Sequence, residues 1–425
     1  MPAIGRVLLV TLLAGAASAS PLAGQSAGRL RGADSARIRS DIAYLASDRL
    51  EGRTTGTLGN DSAAAFIARR YQTLGLVPVM AETFLQPFVA RPASAAHSGS
   101  PLALRTQNVV AMIAGSDPRL RRQYVVIGAH FDHLGRSTEG ALDPEAGSVI
   151  RNGADDNASG TAAVLELARI FRAGPTRRSL LFVNFSGEEQ GLLGSAYFAD
   201  HAPVPLDSIA AMVNFDMVGR LKSDRLIVYG VATATELPAL LDSANGGRLK
   251  IAAQGDGFGP SDQTSFYAKN IPVLHFFTDL HEDYHRASDR VEKINAAGEA
   301  VVVDIAARVI RAIGDRPARL TFVRSAAPPP PVAGGGSNVY LGSIPDMAAG
   351  EVKGLRLSGV RAGSPADSAG LKADDVVVEL GGAPVVDLQS YSDALYAHKP
   401  GDRVNIVVVR DGNRMTISVR LGKRG

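Results

Sequence analysis

The sequence predicts an α/β fold with a mainly parallel mixed sheet flanked by helices, followed by a small β-rich domain. Several short runs of residues are almost wholly apolar, which is typical of strands covered on both faces. Segments with helical spacing of apolar residues lie between several of these runs, and this alternation favours a parallel sheet. A Pro- and Gly-rich stretch over 323–337 then separates this first domain, 25–322, from the unit over 338–425.

Length and composition fit a globular protein of more than one domain. A chain of 425 residues is too long for one ordinary core, and 45% hydrophobic with 20% charged residues is an ordinary balance. The 45 Lys and Arg nearly cancel the 42 Asp and Glu, so we predict no nucleic-acid partner. Arg177 and Arg178 are expected to be solvated turn charges. With no cysteine, disulfides are excluded, and any metal site must rely on His and carboxylate ligands.

The first 24 residues have the pattern of a signal peptide. Arg6 precedes an apolar run over 7–14, and the small residues at 17–19 and 23–24 are two candidate cleavage signals. The apolar run is shorter than the ~18 residues that a spanning helix needs. We therefore expect export to the periplasm or the extracellular space, with no stable membrane span; an uncleaved anchor is the alternative.

The elements of the first domain follow from apolar spacing and turn residues. Helices are expected over 34–47 and 60–74, where Gly75 ends the second. The predicted strands are 124–129, 179–185, 211–215 and 272–277, and the later helices are 161–171, 192–200 and 297–313.

The pattern of the last domain is mostly that of strands. Strands are expected over 376–380, 403–409 and 415–421, and a helix over 387–398. Asp411-Gly412-Asn413, between the last two strands, is a hairpin turn signal.

Five short polar stretches follow the predicted strands or lie close to them. Each alone has an ordinary explanation, such as a helix cap, a loop ion pair or a solvated helical turn. Together they supply the imidazoles and carboxylates that a pair of zinc ions needs. The stretches are 130–132 with His130 and Asp132, 153–157 with Asp155 and Asp156, Glu188-Glu189, 214–216 with Asp216, and Tyr284-His285.

Two of these stretches suggest specific roles. Strand alternation places Asp132 on the same side as His130, where its carboxylate can orient the ring of a metal ligand. The adjacent carboxylates of Glu188 and Glu189 repel each other unless a cation holds one of them. One can then bind metal while its neighbour serves as a base for a bound water. His281 is interpreted as pocket lining and His275 as a strand residue.

Five motifs carry a family resemblance over 34–313: Gly-Ala-His-Phe-Asp-His, Gly-Ala-Asp-Asp-Asn-Ala-Ser-Gly, Ser-Gly-Glu-Glu-Gln-Gly, Asn-Phe-Asp-Met-Val-Gly and Asp-Tyr-His-Arg-Ala-Ser-Asp. Together they resemble the co-catalytic two-zinc exopeptidases: bacterial secreted aminopeptidases, aminopeptidase Y and glutamate carboxypeptidases. The stretch over 45–53 is similar to the usual N-terminal part of that family. The resemblance implies the zinc exopeptidase fold.

The resemblance also implies site residues. His130, Asp156 and Asp216 would hold one zinc, and Asp156, Glu189 and His285 the other, with Asp156 bridging. Glu188 would be the general base for a water shared by the zincs, and Asp132 would orient His130. The bond from Asp156 to Asn157 is expected to be cis. The Tyr284 hydroxyl would stabilise the oxyanion. The alternative is that Tyr284 only packs against its neighbours.

The last domain resembles the PDZ domains of periplasmic serine proteases, through the stretches 340–344, 363–371 and 374–382. Tyr340, Leu341 and Gly342 match the loop whose backbone N–H groups receive the C-terminal carboxylate of a peptide. The expected partners are therefore peptide substrates and a C-terminal peptide ligand. The alternative is a rigid appendage.

The predicted function is that of a secreted two-zinc aminopeptidase acting at the N-terminus of peptides. A carboxypeptidase or dipeptidase of the same fold is the enzymatic alternative. A non-catalytic PDZ-bearing binding protein would be expected to have lost ligands. A single-zinc glutaminyl cyclase fits the complete second ligand set poorly.

Overall fold

The structure is a computed structural model that describes Met1 and residues 32–80, 82–90, 103–138, 140–141, 143, 146–259, 261–281, 283–324, 339–345, 353–360, 363–386, 390–391, 394–395 and 397–423. Apart from Met1, the predicted signal peptide lies outside these residues, as do linker residues 325–337. Among the helices described, none combines the length and the apolar character that crossing a membrane requires.

The first domain is built on one mixed sheet, nine-stranded in the described part of the chain. Its strands are β1 Val77–Pro78, β2 Leu85–Ala90, β3 Leu104–Ile113, β4 Tyr124–His130, β5 Ser179–Phe185, β6 Ile209–Phe215, β7 Arg225–Tyr229, β8 Lys250–Ala253 and β9 Val273–Phe277. Their order is β1-β3-β5-β4-β6-β9-β7-β8, with β2 paired to β3. The central strands β5, β4, β6 and β9 are parallel, while β3 and β7 run antiparallel to their neighbours.

Helices cover both faces of this sheet. They are α1 Ser35–Leu45, α2 Leu58–Thr73, α3 Gly160–Arg172, α4 Leu193–Asp200, α5 Leu237–Asn245, α6 Gln263–Tyr267 and α7 Ala296–Asp315. Within β4, Val125 and Ile127 belong to the apolar cluster that includes residues of α1, α2, α3, α5 and α7, whereas Val126 belongs to the cluster with α4 and α6. Since successive strand residues face opposite sides, this alternation explains why the central strands are apolar throughout.

All four predicted strands and five predicted helices of this domain are present, with ends at most two residues from the predicted positions. The strand β1, the β2–β3 hairpin, β7, β8, α5 and α6 were not predicted. One expectation is wrong: Arg178 is buried rather than solvated, and its guanidinium donates to the carbonyl of Ile313 at 3.1 Å. Arg177 is half-exposed and pairs with Asp117.

The described part of the last domain has a six-stranded and a two-stranded antiparallel sheet, with an apolar core of its own. Its elements are β10 Val339–Tyr340, β11 Ser343–Pro345, β12 Leu355–Val360, α8 Pro365–Ser368, β13 Val376–Leu380, β14 Ala383–Pro384, β15 Arg403–Arg410, β16 Asn413–Arg420 and β17 Gly422–Lys423. The three predicted strands correspond to β13, β15 and β16. The predicted hairpin turn is present, and it consists of Asp411 and Gly412, both at positive φ. Of the predicted helix, only 390–391 and 394–395 are described as helical.

Candidate metal centre

The five sequence-predicted metal ligands lie at one edge of the sheet. His130 ends β4, Asp216 follows β6, and Glu189 comes shortly after β5. Asp156 lies in the loop before α3, and His285 in the loop that follows β9. The carboxyl ends of parallel strands meet at this edge, beside the point where the chain passes from β5 on one side of β4 to β6 on the other. Open α/β sheets bind their ligands at such a point.

The first group consists of His130, Asp156 and Asp216. Nε2 of His130 lies 3.5 Å from Oδ1 of Asp156 and 3.4 Å from Oδ2 of Asp216. Tetrahedral ligands about 2.0–2.1 Å from a zinc ion lie roughly 3.3 Å apart, which is close to both distances. Nε2 of His130 and Oδ1 of Asp216 are buried without a hydrogen-bond partner in the described part of the chain. This donor set therefore fits a divalent metal ion.

The second group consists of Asp156, Glu189 and His285. Nε2 of His285 lies 3.1 Å from Oδ2 of Asp156 and 3.1 Å from Oε2 of Glu189. Nδ1 of the same ring is 2.8 Å from the carbonyl oxygen of Gly140. Because a carbonyl only accepts, Nδ1 carries the hydrogen in this contact, which leaves the lone pair of Nε2 free in the neutral ring. Asp156 thus presents one oxygen to each group.

The carboxylates are crowded and buried. Burial and the neighbouring Glu189 raise the pKa of Asp156. Burial also raises the pKa of Glu188 well above its usual range, and His130 only partly opposes this. For His130 itself, burial disfavours the charged ring, but Asp216 and Glu188 outweigh it and raise its pKa. Metal ions that replace the protons bound by these side chains would relieve the repulsion between the carboxylates.

Asp132 lies beside His130, as predicted. Its main-chain oxygen is 3.3 Å from Nδ1 of His130, and its carboxylate is 3.7 Å away. The carboxylate accepts hydrogen bonds from the Thr55 hydroxyl at 3.0 Å and from the main-chain N–H of Glu188 at 3.2 Å. Nδ1 of His130 is therefore closer to the main-chain oxygen of Asp132 than to its carboxylate, which instead binds Thr55 and the backbone of Glu188.

Of the two adjacent aspartates, Asp156 faces the groups and Asp155 turns away. Asp155 accepts from the N–H of Gly219 at 2.7 Å and lies 3.1 Å from Nε2 of His281. Asp289 accepts from the N–H of both Asp155 and Asp156 and so holds the loop. The peptide bond between Asp156 and Asn157 is cis, as predicted. His281 thus contacts Asp155 rather than either metal group.

Tyr284 stacks on His285, with ring centroids 3.9 Å apart. Burial, and then Asp156 and the other carboxylates, raise the pKa of its hydroxyl. Its ring therefore packs beside the second group.

Two residues of the site were missed from the sequence. Nδ1 of His133 is 2.6 Å from Oε1 of Glu189 and 3.8 Å from Oδ2 of Asp156. His133 is the last residue of the motif Gly-Ala-His-Phe-Asp-His, and its place there was the signal for it. The second is Arg53, at the end of the resemblance stretch 45–53, whose buried guanidinium binds main-chain carbonyls on both sides of the site.

The predicted peptide-binding loop of the last domain lies between two strands. Tyr340 ends β10, and Leu341 is buried, with its carbonyl accepting from the N–H of Ala366. Gly342 has φ +83°, and a Cβ there would lie 2.3 Å from Cβ of Ser364. Glycine is therefore required before β11 begins.

Residues 108–310 match the sequence model of peptidase family M28, and residues 339–421 match that of the PDZ domain. The match identifies a peptidase M28 domain within the first domain. Both resemblances predicted from the motifs, to the co-catalytic zinc exopeptidases and to PDZ domains, are thereby confirmed. The match spans β3 to most of α7 and includes every residue of the two groups.

Relatives of the M28 domain include a probable zinc metalloprotease of Leptosphaeria maculans, 29% identical over 237 residues that cover 54% of this chain and 51% of that protein. Aminopeptidase YwaD of Bacillus subtilis is 30% identical over 158 residues, which cover 34% of each protein. The chain spans about half the length of these relatives, or less.

Solved structures share the fold of the M28 domain. A Zn-dependent exopeptidase of Parabacteroides distasonis aligns with a TM-score of 0.56 at 19% identity, covering 67% of this chain and 99% of that one. BSAP, a zinc aminopeptidase of Bacillus subtilis, aligns with a TM-score of 0.53 at 18% identity, covering 69% and 99%. A glutaminyl cyclase of Bacteroides thetaiotaomicron aligns equally well, with a TM-score of 0.55 at 15% identity, covering 67% and 99%. The predicted fold is confirmed, but the fold alone does not separate these activities.

Proposed function

We propose that this protein is an exported two-zinc aminopeptidase that removes residues from the N-terminus of peptides. The observation that carries the proposal is the position of Asp156, which offers Oδ1 to His130 and Oδ2 to His285. A single carboxylate shared by two complete donor groups is the arrangement of a two-metal centre. The likeness to aminopeptidase YwaD supports the choice of substrate, and the N-terminal sequence pattern supports export.

His130, Asp156 and Asp216 would hold one zinc ion, and Asp156, Glu189 and His285 the other. When bound, the two ions supply Lewis acidity, which polarises the scissile carbonyl and lowers the pKa of the attacking water. The three carboxylates would balance most of the charge of the pair.

Glu188 is the proposed general base. Its Oε2 lies 3.9 Å from Nε2 of His130, so the carboxylate borders the first group while remaining outside its closest contacts. Burial raises its pKa, which brings the carboxylate closer to the range in which it both accepts and returns a proton. Glu188 would take a proton from the water and deliver it to the leaving amine. Asp132, which accepts from the N–H of Glu188, holds the backbone of this base.

Tyr284 is proposed to donate from its hydroxyl to the oxyanion, while its ring supports His285. A Tyr284→Phe variant separates the two roles because it keeps the stack and removes the donor. Loss of turnover at unchanged metal content supports the donor role, and unchanged turnover supports packing alone.

The PDZ domain is proposed to bind the C-terminus of a peptide at Tyr340, Leu341 and Gly342. Its backbone would receive the carboxylate, and the peptide would add as a strand. Substrates with a free C-terminus would then be held near the M28 domain.

The decisive experiment combines metal analysis with a substrate panel. Purified protein should contain two zinc ions per chain, lose turnover on chelation and recover it with zinc. Peptides with a free N-terminus should be cleaved, and N-blocked peptides should not. Cleavage of N-blocked peptides from the C-terminus would instead show a carboxypeptidase. Cyclisation of N-terminal glutamine by protein with one zinc would show a glutaminyl cyclase, and metal-free, inactive protein would reject the proposal.

A further inference from the structure

The ring of His133 is held in one position beside the metal centre. It lies just beyond β4, and its side chain is 0% exposed. A Cβ added to Gly153 would lie 2.5 Å from both Cγ and Cδ2 of the ring, so the imidazole packs directly on the Gly153 backbone. Gly153 has φ +58°, which also favours glycine. The ring is therefore fixed by packing, with Nδ1 toward Glu189.

Proximity alone would allow His133 to be a metal ligand, since His133, Asp156 and Glu189 place ligand atoms within 4.8 Å of one another. The individual distances argue against this. Nδ1 of His133 is 2.6 Å from Oε1 of Glu189, too short for two ligands of one zinc ion, which lie roughly 3.3 Å apart. The 3.8 Å from Nδ1 to Oδ2 of Asp156 is longer than that separation.

The 2.6 Å contact instead has the length of a charge-assisted hydrogen bond. A carboxylate only accepts, so Nδ1 of His133 must carry the hydrogen. His285, by contrast, keeps 3.1 Å to both Asp156 and Glu189, and it reaches Oε2 of Glu189 rather than Oε1. The two oxygens of Glu189 are thus divided between the two imidazoles.

We propose that His133 is a positioning residue that donates from Nδ1 to Oε1 of Glu189 and thereby directs Oε2 toward the second metal position. This inference rests on the proposed two-zinc function. Without the hydrogen bond, the carboxylate is free to rotate and both of its oxygens compete for the same ion. Removal of such an outer hydrogen bond typically lowers metal affinity ~10–100-fold. The first metal position, which Glu189 does not join, should be affected much less.

Three variants at this position separate a hydrogen-bond donor from a ligand. His133→Asn keeps a donor nitrogen at the place of Nδ1 but is a poor zinc ligand. His133→Asp offers a good ligand there but repels Glu189. His133→Gln moves the amide to the place of Nε2, which has no hydrogen-bond partner among the described residues. His201→Asn, at an exposed histidine on the far end of α4, is the matched control.

The measurement is zinc stoichiometry and the two zinc dissociation constants, by competition with a chromophoric chelator, with circular dichroism as the check on folding. We expect both zinc dissociation constants of His133→Asn and of the control to remain within a few-fold of those of the wild type. His133→Asp and His133→Gln should bind the second zinc ~10–100-fold less tightly.

The reverse pattern, with His133→Asp retaining the second zinc and His133→Asn losing it, would overturn the proposal in favour of a ligand. Equal affinities in all variants would overturn it in favour of packing. If one variant fails to fold, the other two still decide, because the donor, ligand and packing roles each predict a different pattern of zinc affinities for any pair of variants. Wild-type protein that binds no zinc would instead reject the proposed function itself.

Discussion

Arg53 donates a hydrogen bond of 2.9 Å from Nη2 to the carbonyl oxygen of Gly153. Its Nε donates to the carbonyl of Phe131 at 2.7 Å, and Nη1 to those of Leu45 and Asn152. Phe131 follows His130, and Gly153 opens the loop that carries Asp156. Burial lowers the pKa of Arg53 to about 10, so the guanidinium is still charged at neutral pH. One buried cation therefore ties the residue after His130 to the loop that carries Asp156.

Replacement of Arg53 by Met should destabilise the M28 domain and weaken zinc binding together. Four buried carbonyls would lose their donor, and each such acceptor costs about 1–3 kcal/mol, so we expect a loss on the order of 3 kcal/mol or more. Calorimetric unfolding of the metal-free protein measures this loss of stability. Arg49→Met, at an exposed arginine of the same stretch, is the control. A melting temperature as little changed as that of the control would show that the carbonyls find other partners.

Glu188 and Glu189 should respond differently to the same change. Glu188→Gln should keep both zinc ions and lose turnover by ~10²–10⁴-fold, because an amide accepts no proton from the water. Glu189→Gln should lose the second zinc as well as turnover, since an amide is a weaker ligand. Measuring the zinc content together with kcat distinguishes the two variants. Near-normal turnover in Glu188→Gln with two zincs bound would exclude it as the base.

The buried carboxyl of Glu299, at the start of α7, should make stability depend on pH. Burial, and then the charge of Asp155, raise its pKa well above the ordinary 4.5. Above pH 4.5 the unfolded chain loses this proton first, so the folded state binds more protons and stability falls as pH rises toward the folded pKa. The slope for one proton is at most about 1.4 kcal/mol per pH unit.

Glu299→Gln removes this titration and should gain stability relative to the wild type as the pH rises from 5 to 8. Thermal unfolding at each pH gives the difference, with Glu292→Gln, at an exposed position, as the control. A difference between variant and wild type that does not change with pH would mean that Glu299 ionises normally.

A chain that ends at Arg324 should fold and cleave a dipeptide at close to the full-length rate. Its last residues belong to the first domain: Val323 donates to the carbonyl of Thr233 at 2.8 Å, and Arg324 to Asn270 at 2.7 Å. The apolar cores of the two domains are also separate clusters. For long peptides with a free C-terminus, loss of the PDZ domain should raise KM without changing kcat.

A shorter chain that ends at Pro317 is the control for this truncation. It lacks Phe322, which packs against the core beside Tyr267, and should therefore be less stable. Loss of dipeptide turnover by the Arg324-ending chain would mean that the last domain supports the active site.

The elements that were predicted correctly share a strong local signal. The strands β4, β5 and β6 are continuous apolar runs, and α3 and α7 have clear helical spacing. Two of the missed elements lack such a signal: β8 is exposed or half-buried along its length, and the part of β3 that pairs with β2 carries polar residues. Arg178 shows the same limit, since its burial depends on carbonyls of residues near the end of α7 that are remote in sequence.

The sequence by itself determined the α/β fold class, the family resemblance and the identity of the ligand candidates. Those features depend on residue type and local spacing, which any part of a chain displays without its partners. Only the tertiary structure decided how the oxygens are divided: Oδ1 of Asp156 faces His130 and Oδ2 faces His285, while Oε1 of Glu189 meets His133. Such a division depends on how the segments after β4, β5 and β9 pack together, and no single segment contains it.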